Sequence, residues 1–277
     1  MHQESQETTL RYEVFGTDRP VAFVTGSSSY RVGRVIAENF LRAGYRVVLH
    51  AHHLLSSAQS EIEHLRSSGH DVDLVSGAIE LEANVLSWVQ QIRQSQGRID
   101  VVVNSAAVWH PQPLEQLSAA EIEHTFRVNT LGSALIAKHF GLEMVRQSSG
   151  GTIINIGDWA VVRPYKDFAH YFVSKGSIET LTTTMAVELA SRNPRVRVNA
   201  VLPGPVLLAE GISAQRQQQI ISHSLLKRAG TPMDVARAVL FLAENPFITG
   251  VCLPVDGGRS IYAGPSVDPS AHPDYQP

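Results

Sequence analysis

Residues 21–33 read Val21-Ala22-Phe23-Val24-Thr25-Gly26-Ser27-Ser28-Ser29-Tyr30-Arg31-Val32-Gly33. The apolar run 21–25 fits a strand buried on both faces. Two glycines then frame a polar loop, and a helix is expected over 32–43. Glycines at such a junction let the backbone approach a pyrophosphate held at a helix N-terminus. An ordinary strand–helix turn has the same outline, so the rest of the chain must decide.

Working outward, the alternation continues. Strands are expected at 46–51, 72–76, 99–103, 151–156, 195–201 and 250–255. Helices are expected at 56–67, 81–95, 120–147, 169–191 and 232–243. Strands alternating with helices build βαβ units around a parallel sheet. The fold class is therefore α/β: one Rossmann-type, doubly wound sheet of about seven strands over residues 20–262, with helices on both faces. The stretch 205–229 breaks the alternation after a strand's carboxyl end, where such folds hold ligands, and reads as a substrate loop or lid. The polar residues 1–19 read as a flexible arm, and the Pro-, Ser- and Asp-rich residues 263–277 as a flexible tail.

Composition narrows the classes. Of 277 residues, 43% are hydrophobic, enough for a packed core, and the net charge is −3. A nucleic-acid partner needs a basic face, so none is expected. No apolar run is long enough for a membrane span, and the polar N-terminus has no signal-peptide core, so a cytoplasmic protein is expected. Cys252 is the only cysteine and reads as a buried inert thiol.

The chemistry concentrates around Tyr171 and Lys175. One helical turn apart, they share a helix face. A lysine beside a phenol favours the phenolate, so the Tyr171 pKa is expected to fall. Such a phenol can protonate an atom that receives a hydride. Other landmarks are Asn104-Ser105-Ala106-Ala107 after the fourth strand, Asn129, Asp158, Pro203-Gly204-Pro205 and Val255-Asp256-Gly257-Gly258.

Together these motifs resemble the short-chain dehydrogenase/reductase family over residues 20–260. The resemblance implies a tetrad of Asn129, Asp158, Tyr171 and Lys175. Tyr171 would be the general acid, Lys175 would bond the nicotinamide ribose, and Asn129 would hold a relay water. It implies cofactor contacts from Gly26, Ser28, Arg31, Val32, Gly33, Asn104, Ala106, Tyr171, Lys175, Pro203 and Gly204, and a homotetramer. Three departures stand out. The glycine loop is one residue longer than the family's. Ser105 replaces an asparagine. Asp158 stands where the family carries serine.

Asp158 resembles the pteridine reductase subgroup, as does Arg31-Val32-Gly33-Arg34. In that reading Trp109 stacks on a pterin, and Asp158, Tyr171, Arg31 and Leu208 complete the substrate site. Against it, Pro205 and Val206 stand where the subgroup has a serine. The second strand ends Leu49-His50-Ala51-His52-His53, without the acid that a NAD ribose requires. NADPH/NADP is therefore the expected cofactor, with Arg31, His50, His52 and His53 around the 2′-phosphate. His50 and His52 share one side of a strand, but no third ligand accompanies them, and no metal is expected. The substrate is expected to be a small molecule, a pterin or folate-like ring. The alternatives are a carbonyl reductase acting on a 3-oxoacyl thioester, and a non-catalytic dinucleotide sensor. Asp158 would merely cap a turn in a lapsed site.

Overall fold

The structure is a computed structural model that describes residues 2–54, 56–208 and 211–262. The tail expected over 263–277 lies outside the described residues. Seven parallel strands form one sheet: β1 (Val21–Val24), β2 (Arg46–Ala51), β3 (Val72–Ser76), β4 (Val101–Asn104), β5 (Gly151–Ile156), β6 (Val196–Pro203) and β7 (Cys252–Val255). Their order is β3-β2-β1-β4-β5-β6-β7. The chain order reverses between β1 and β4, which opens a crevice at their carboxyl ends. Val24 pairs with Val103 there, and Asn104 with Asn155.

The helices are α1 (His2–Phe15), α2 (Val32–Arg42), α3 (Ser56–Ser67), α4 (Glu82–Gln96), α5 (Ala119–Phe126), α6 (Ser133–Arg146), α7 (Ala169–Ala190), α8 (Ala214–Ser222) and α9 (Pro232–Glu244). Strand residues alternate between two cores. Ala22, Val24, Val47 and Leu49 pack under α2 and α9. Val21, Phe23, Val48 and Val102 pack under α4, α6 and α7. Burial on both faces explains the unbroken apolar strands. Helix α9 starts on a capping box: Thr231 accepts from the Asp234 N–H, Asp234 accepts from the Thr231 N–H, and Pro232 fills the first turn.

Three expectations change. Residues 2–15, read as part of a loose arm, form α1. Its last turn is anchored because Phe15 is buried against Tyr45 and its carbonyl accepts from Arg98 at 2.6 Å. The single helix expected over 120–147 is α5 and α6 joined by a π turn, Arg127–Gly132. The segment 205–229 carries α8. Among the described residues, no helix is long and apolar enough to cross a membrane.

Candidate active site

The carboxyl ends of β1, β4, β5 and β6 bring the motifs together. Thr25 directly follows β1 and holds the loop after β4: its hydroxyl accepts from the N–H groups of Ser105 (2.9 Å) and Ala106 (3.0 Å). Gly26 follows with φ +65°, and a Cβ there would lie 2.8 Å from the Cα of Ala106. A Cβ at Gly33 would lie 2.8 Å from the Gly26 carbonyl oxygen. Both glycines are therefore required, for backbone angle at one and for close approach at both. Arg31 begins α2 with no side-chain cap, and the first turn carries no acid. An uncapped helix end of this kind presents N–H donors that suit an anion such as a pyrophosphate. Arg31 is exposed, Ser28 and Val32 are half-buried, and the Ser28 N–H donates to the His50 carbonyl at 3.3 Å.

The expected phosphate contacts divide. His52 and His53 are exposed, with rings 4.1 Å apart. His50 instead faces inward and is only 2% exposed. Its ring is committed to Gly26 and Gly77, so it cannot serve as a phosphate ligand. Asn104 also turns inward. Its amide donates to the carbonyl oxygens of Ser133 (3.2 Å) and of the Asn155 side chain (2.8 Å), so its donors are committed inside the fold, while its Oδ1 is buried with no hydrogen-bond partner among the described residues. Gly204 packs against Asp256, with its N–H on the Val255 carbonyl at 2.9 Å, and Pro203 ends β6 beside it. Leu208 is half-buried at the last described position before residue 211.

Asp158, Tyr171 and Lys175 do converge. The Tyr171 hydroxyl donates to Asp158 Oδ2 at 2.7 Å. Asp158 Oδ1 accepts from the Ala160 N–H at 2.8 Å and caps the short turn Trp159–Val162. Turn capping and the tyrosine contact therefore coexist, one carboxylate oxygen each. Lys175 Nζ donates to the Ile156 carbonyl at 2.8 Å. Burial raises the Asp158 pKa, opposed by its two hydrogen bonds and by Lys175. Burial pulls Lys175 down to about 8, with Asp158 working the other way.

Tyr171 corrects the sequence expectation. Its pKa is pushed well above the ordinary phenol value, by burial first and by the Asp158 carboxylate second. A serine at 158 would add no charge beside the phenol. The aspartate does, and it adds to the rise that burial already causes.

Asn129 sits in the π turn and is buried. Its side chain accepts from the Val108 N–H (2.8 Å) and donates to the Val108 carbonyl (3.0 Å) and the Ser174 hydroxyl (3.0 Å). It thus ties the loop carrying Trp109 to α7. Trp109 is 46% exposed and stacks on Phe168 with centroids 5.0 Å apart and planes 20° apart. Tyr165 stands edge-on to Phe168 and Phe172. Burial raises its pKa, against a hydrogen bond from Trp109. The sequence motifs did not single out Tyr165 or Ser174, and they included Thr25 beside Gly26 without assigning it a role. For Tyr165 a signal was present, its place between Asp158 and Tyr171.

This geometry has relatives. A family model described as enoyl-(acyl carrier protein) reductase matches residues 28–260. The chain belongs to the short-chain dehydrogenase/reductase family. It is 33% identical to carbonyl reductase family member 4 of Danio rerio over 87% of this chain and 98% of that protein. It is 31% identical to an uncharacterized oxidoreductase of Thermotoga maritima over 87% of this chain and 96% of that one. A solved structure titled a putative gluconate dehydrogenase from Agrobacterium tumefaciens superposes with a TM-score of 0.80 at 26% identity, over 87% of this chain and 96% of the other. Members of the family use nicotinamide dinucleotides. The chain is an oxidoreductase of this class, which leaves the sensor reading without support.

Proposed function

We propose that the chain is an NADP(H)-dependent reductase of planar nitrogen heterocycles of the pterin or folate class. The observation that carries this reading is the 2.7 Å bond from Tyr171 to the Asp158 carboxylate. A serine at 158 donates to a carbonyl oxygen, whereas a carboxylate accepts. A ring edge bearing N–H donors suits an acceptor, and an oxygen gaining negative charge does not.

The dinucleotide supplies the hydride when bound. The protein supplies placement and a proton. The raised pKa keeps Tyr171 protonated, ready to act as an acid toward a ring nitrogen. Asp158 holds that hydroxyl in place. Trp109, half-exposed over Phe168, offers a flat aromatic face to a flat substrate. NADP over NAD is supported by β2, which ends without an acid and leaves His52, His53 and Arg31 exposed for a 2′-phosphate. The segment 205–229 would close on the substrate. A cytoplasmic homotetramer completes the reading.

A second reading, a carbonyl reductase, is favoured by the name of the zebrafish relative. Parallel assays separate the two: NADPH oxidation with dihydrobiopterin, dihydrofolate and an acetoacetyl thioester, each repeated with NADH. Turnover of a pterin with NADPH preferred is the expected result. Reduction of the thioester with no turnover of pterins would establish the carbonyl reading, and equal use of the two dinucleotides would remove the NADP assignment.

A further inference from the structure

His50 uses every polar group it has on the walls of the glycine loop. It is the fifth residue of β2, and its ring lies against Trp88 (centroids 4.8 Å apart) and Phe23 (6.4 Å). Its N–H donates to the Ser27 hydroxyl at 3.1 Å, and its carbonyl accepts from the N–H groups of Ser27 (3.1 Å) and Ser28 (3.3 Å). The ring adds two more bonds. Nδ1 lies 3.1 Å from the Gly26 nitrogen, and Nε2 lies 3.0 Å from the Gly77 carbonyl oxygen. Gly26 can only donate and Gly77 can only accept. One tautomer satisfies both, with the proton on Nε2 and the lone pair on Nδ1. Burial pushes the ring's pKa down to about 4, which keeps it neutral.

We infer that His50 is a positioning residue for the cofactor: its neutral ring pins Gly26 in the left-handed backbone conformation and ties the β1–α2 loop to the β3–α4 loop. The inference rests on the reading of 26–33 as the dinucleotide loop. That loop is one residue longer than the family pattern, so its path needs an added constraint. Both ring contacts fall on glycines at positive φ, +65° at Gly26 and +136° at Gly77, where the backbone itself is permissive. At Gly77 a Cβ would lie 2.7 Å from the Asn84 amide. Neither position tolerates a side chain that could hold the loop by itself. A ring from the intervening strand does so instead.

The test uses three substitutions. Asparagine places an oxygen at about the reach of Nδ1 and keeps an acceptor for Gly26. Glutamine keeps a donor near Nε2 and loses that acceptor. Phenylalanine keeps the ring and loses both. NADPH is titrated into each protein by tryptophan fluorescence, and turnover is measured at saturating NADPH. His50→Phe and His50→Gln are expected to raise the NADPH Kd about 5- to 150-fold, as loss of an acceptor for a buried N–H implies. His50→Asn is expected to stay within about 3-fold of wild type. Turnover at saturation should change little in all three, because Asp158, Tyr171 and Lys175 are untouched. A merely structural histidine would lower thermal stability in all three and leave the Kd of the folded protein alone.

Wild-type affinity in His50→Phe, or equal weakening in His50→Asn and His50→Phe, overturns the inference. If wild type binds neither NADPH nor NADH, the dinucleotide reading itself fails, which is a separate result. Nitrogen-15 spectra of the wild-type imidazole need no variant to fold. They should show a protonated Nε2 and a bare Nδ1, and a protonated Nδ1 overturns the proposal.

Discussion

At the residue scale, the chain's chemistry turns on one substitution relative to its family, Asp158. Its carboxylate raises the pKa of Tyr171 and opposes the burial that lowers Lys175. Removing the charge should therefore lower both. Protonated Lys175 makes stronger, charge-assisted bonds to Ile156 and to a ribose, and Tyr171 must be protonated to act as an acid. Activity in wild type should thus fall as pH rises through about 8, where Lys175 titrates. Asp158→Asn keeps the shape and removes the charge, so its alkaline limb should move to lower pH. The measurement is the pH profile of kcat/KM for both proteins. A limb that stays in place or moves upward means that Asp158 does not set the field in this site. The convergence of Asp158, Tyr171 and Lys175 was legible in the sequence because helical spacing and motif order fix it. The sign of the tyrosine shift was not, because it depends first on how deeply the phenol is buried and then on the Asp158 carboxylate beside it. His50 shows the same limit: strand alternation gives the side of the sheet, and only packing shows that Trp88 and Gly77 close over the ring.

At the element scale, the crevice depends on one hydroxyl that ties β1 to the loop after β4. Thr25 accepts two N–H groups, from Ser105 and Ala106, and donates to the Val103 carbonyl at 3.3 Å. Thr25→Val keeps the shape and leaves buried groups without partners. Each lost partner costs about 1–3 kcal/mol. The expected outcome is a loss of roughly that size, read from urea unfolding, with Thr25→Ser close to wild type. Unfolding of Thr25→Val at the wild-type midpoint would mean that the loop does not need this anchor. The seven strands and the helices that cover them were legible because apolar runs and turn signals mark them. The π turn was not. Arg127–Gly132 continues a helical pattern on both sides, and one wider turn leaves no mark on periodicity. That turn nonetheless buries Asn129, whose side chain holds the Val108–Trp109 loop against α7. A helix of regular pitch would have carried the later residues to other faces.

At the scale of the whole molecule, the candidate site and the anchor of α1 occupy opposite ends of one sheet. The candidate site lies at the carboxyl ends of the strands. Helix α1 closes the amino ends, where the chain enters β1, β2 and β4. Its sequence, His2-Gln3-Glu4-Ser5-Gln6-Glu7-Thr8-Thr9-Leu10-Arg11-Tyr12-Glu13-Val14-Phe15, has apolar residues only in its second half, so it reads as an arm rather than an amphipathic helix. What makes it part of the fold is its second half, where Arg11 is buried, Val14 packs on the core and Phe15 is buried most deeply. Phe15 is 1% exposed and meets Tyr45 edge-on with centroids 6.1 Å apart. Tyr45 in turn donates to Glu244 at the end of α9, and Arg98, which holds the buried Asp100, donates to the Phe15 carbonyl. Asp100 also accepts from the Val21 N–H at 2.8 Å, so this network reaches the first residue of the first strand. Phe15→Ala opens a cavity in that core, and a buried phenylalanine lost in this way costs about 3–5 kcal/mol. The residues that would meet dinucleotide and substrate stand at the other end of the strands. Phe15→Ala should therefore lower the unfolding free energy by that amount, and with it the midpoint, while kcat and the NADPH Kd, measured well below the new midpoint, keep their wild-type values. A variant that keeps its stability would show that α1 is not part of the core. A variant that loses turnover while folded would show that the two ends of the sheet are coupled through it.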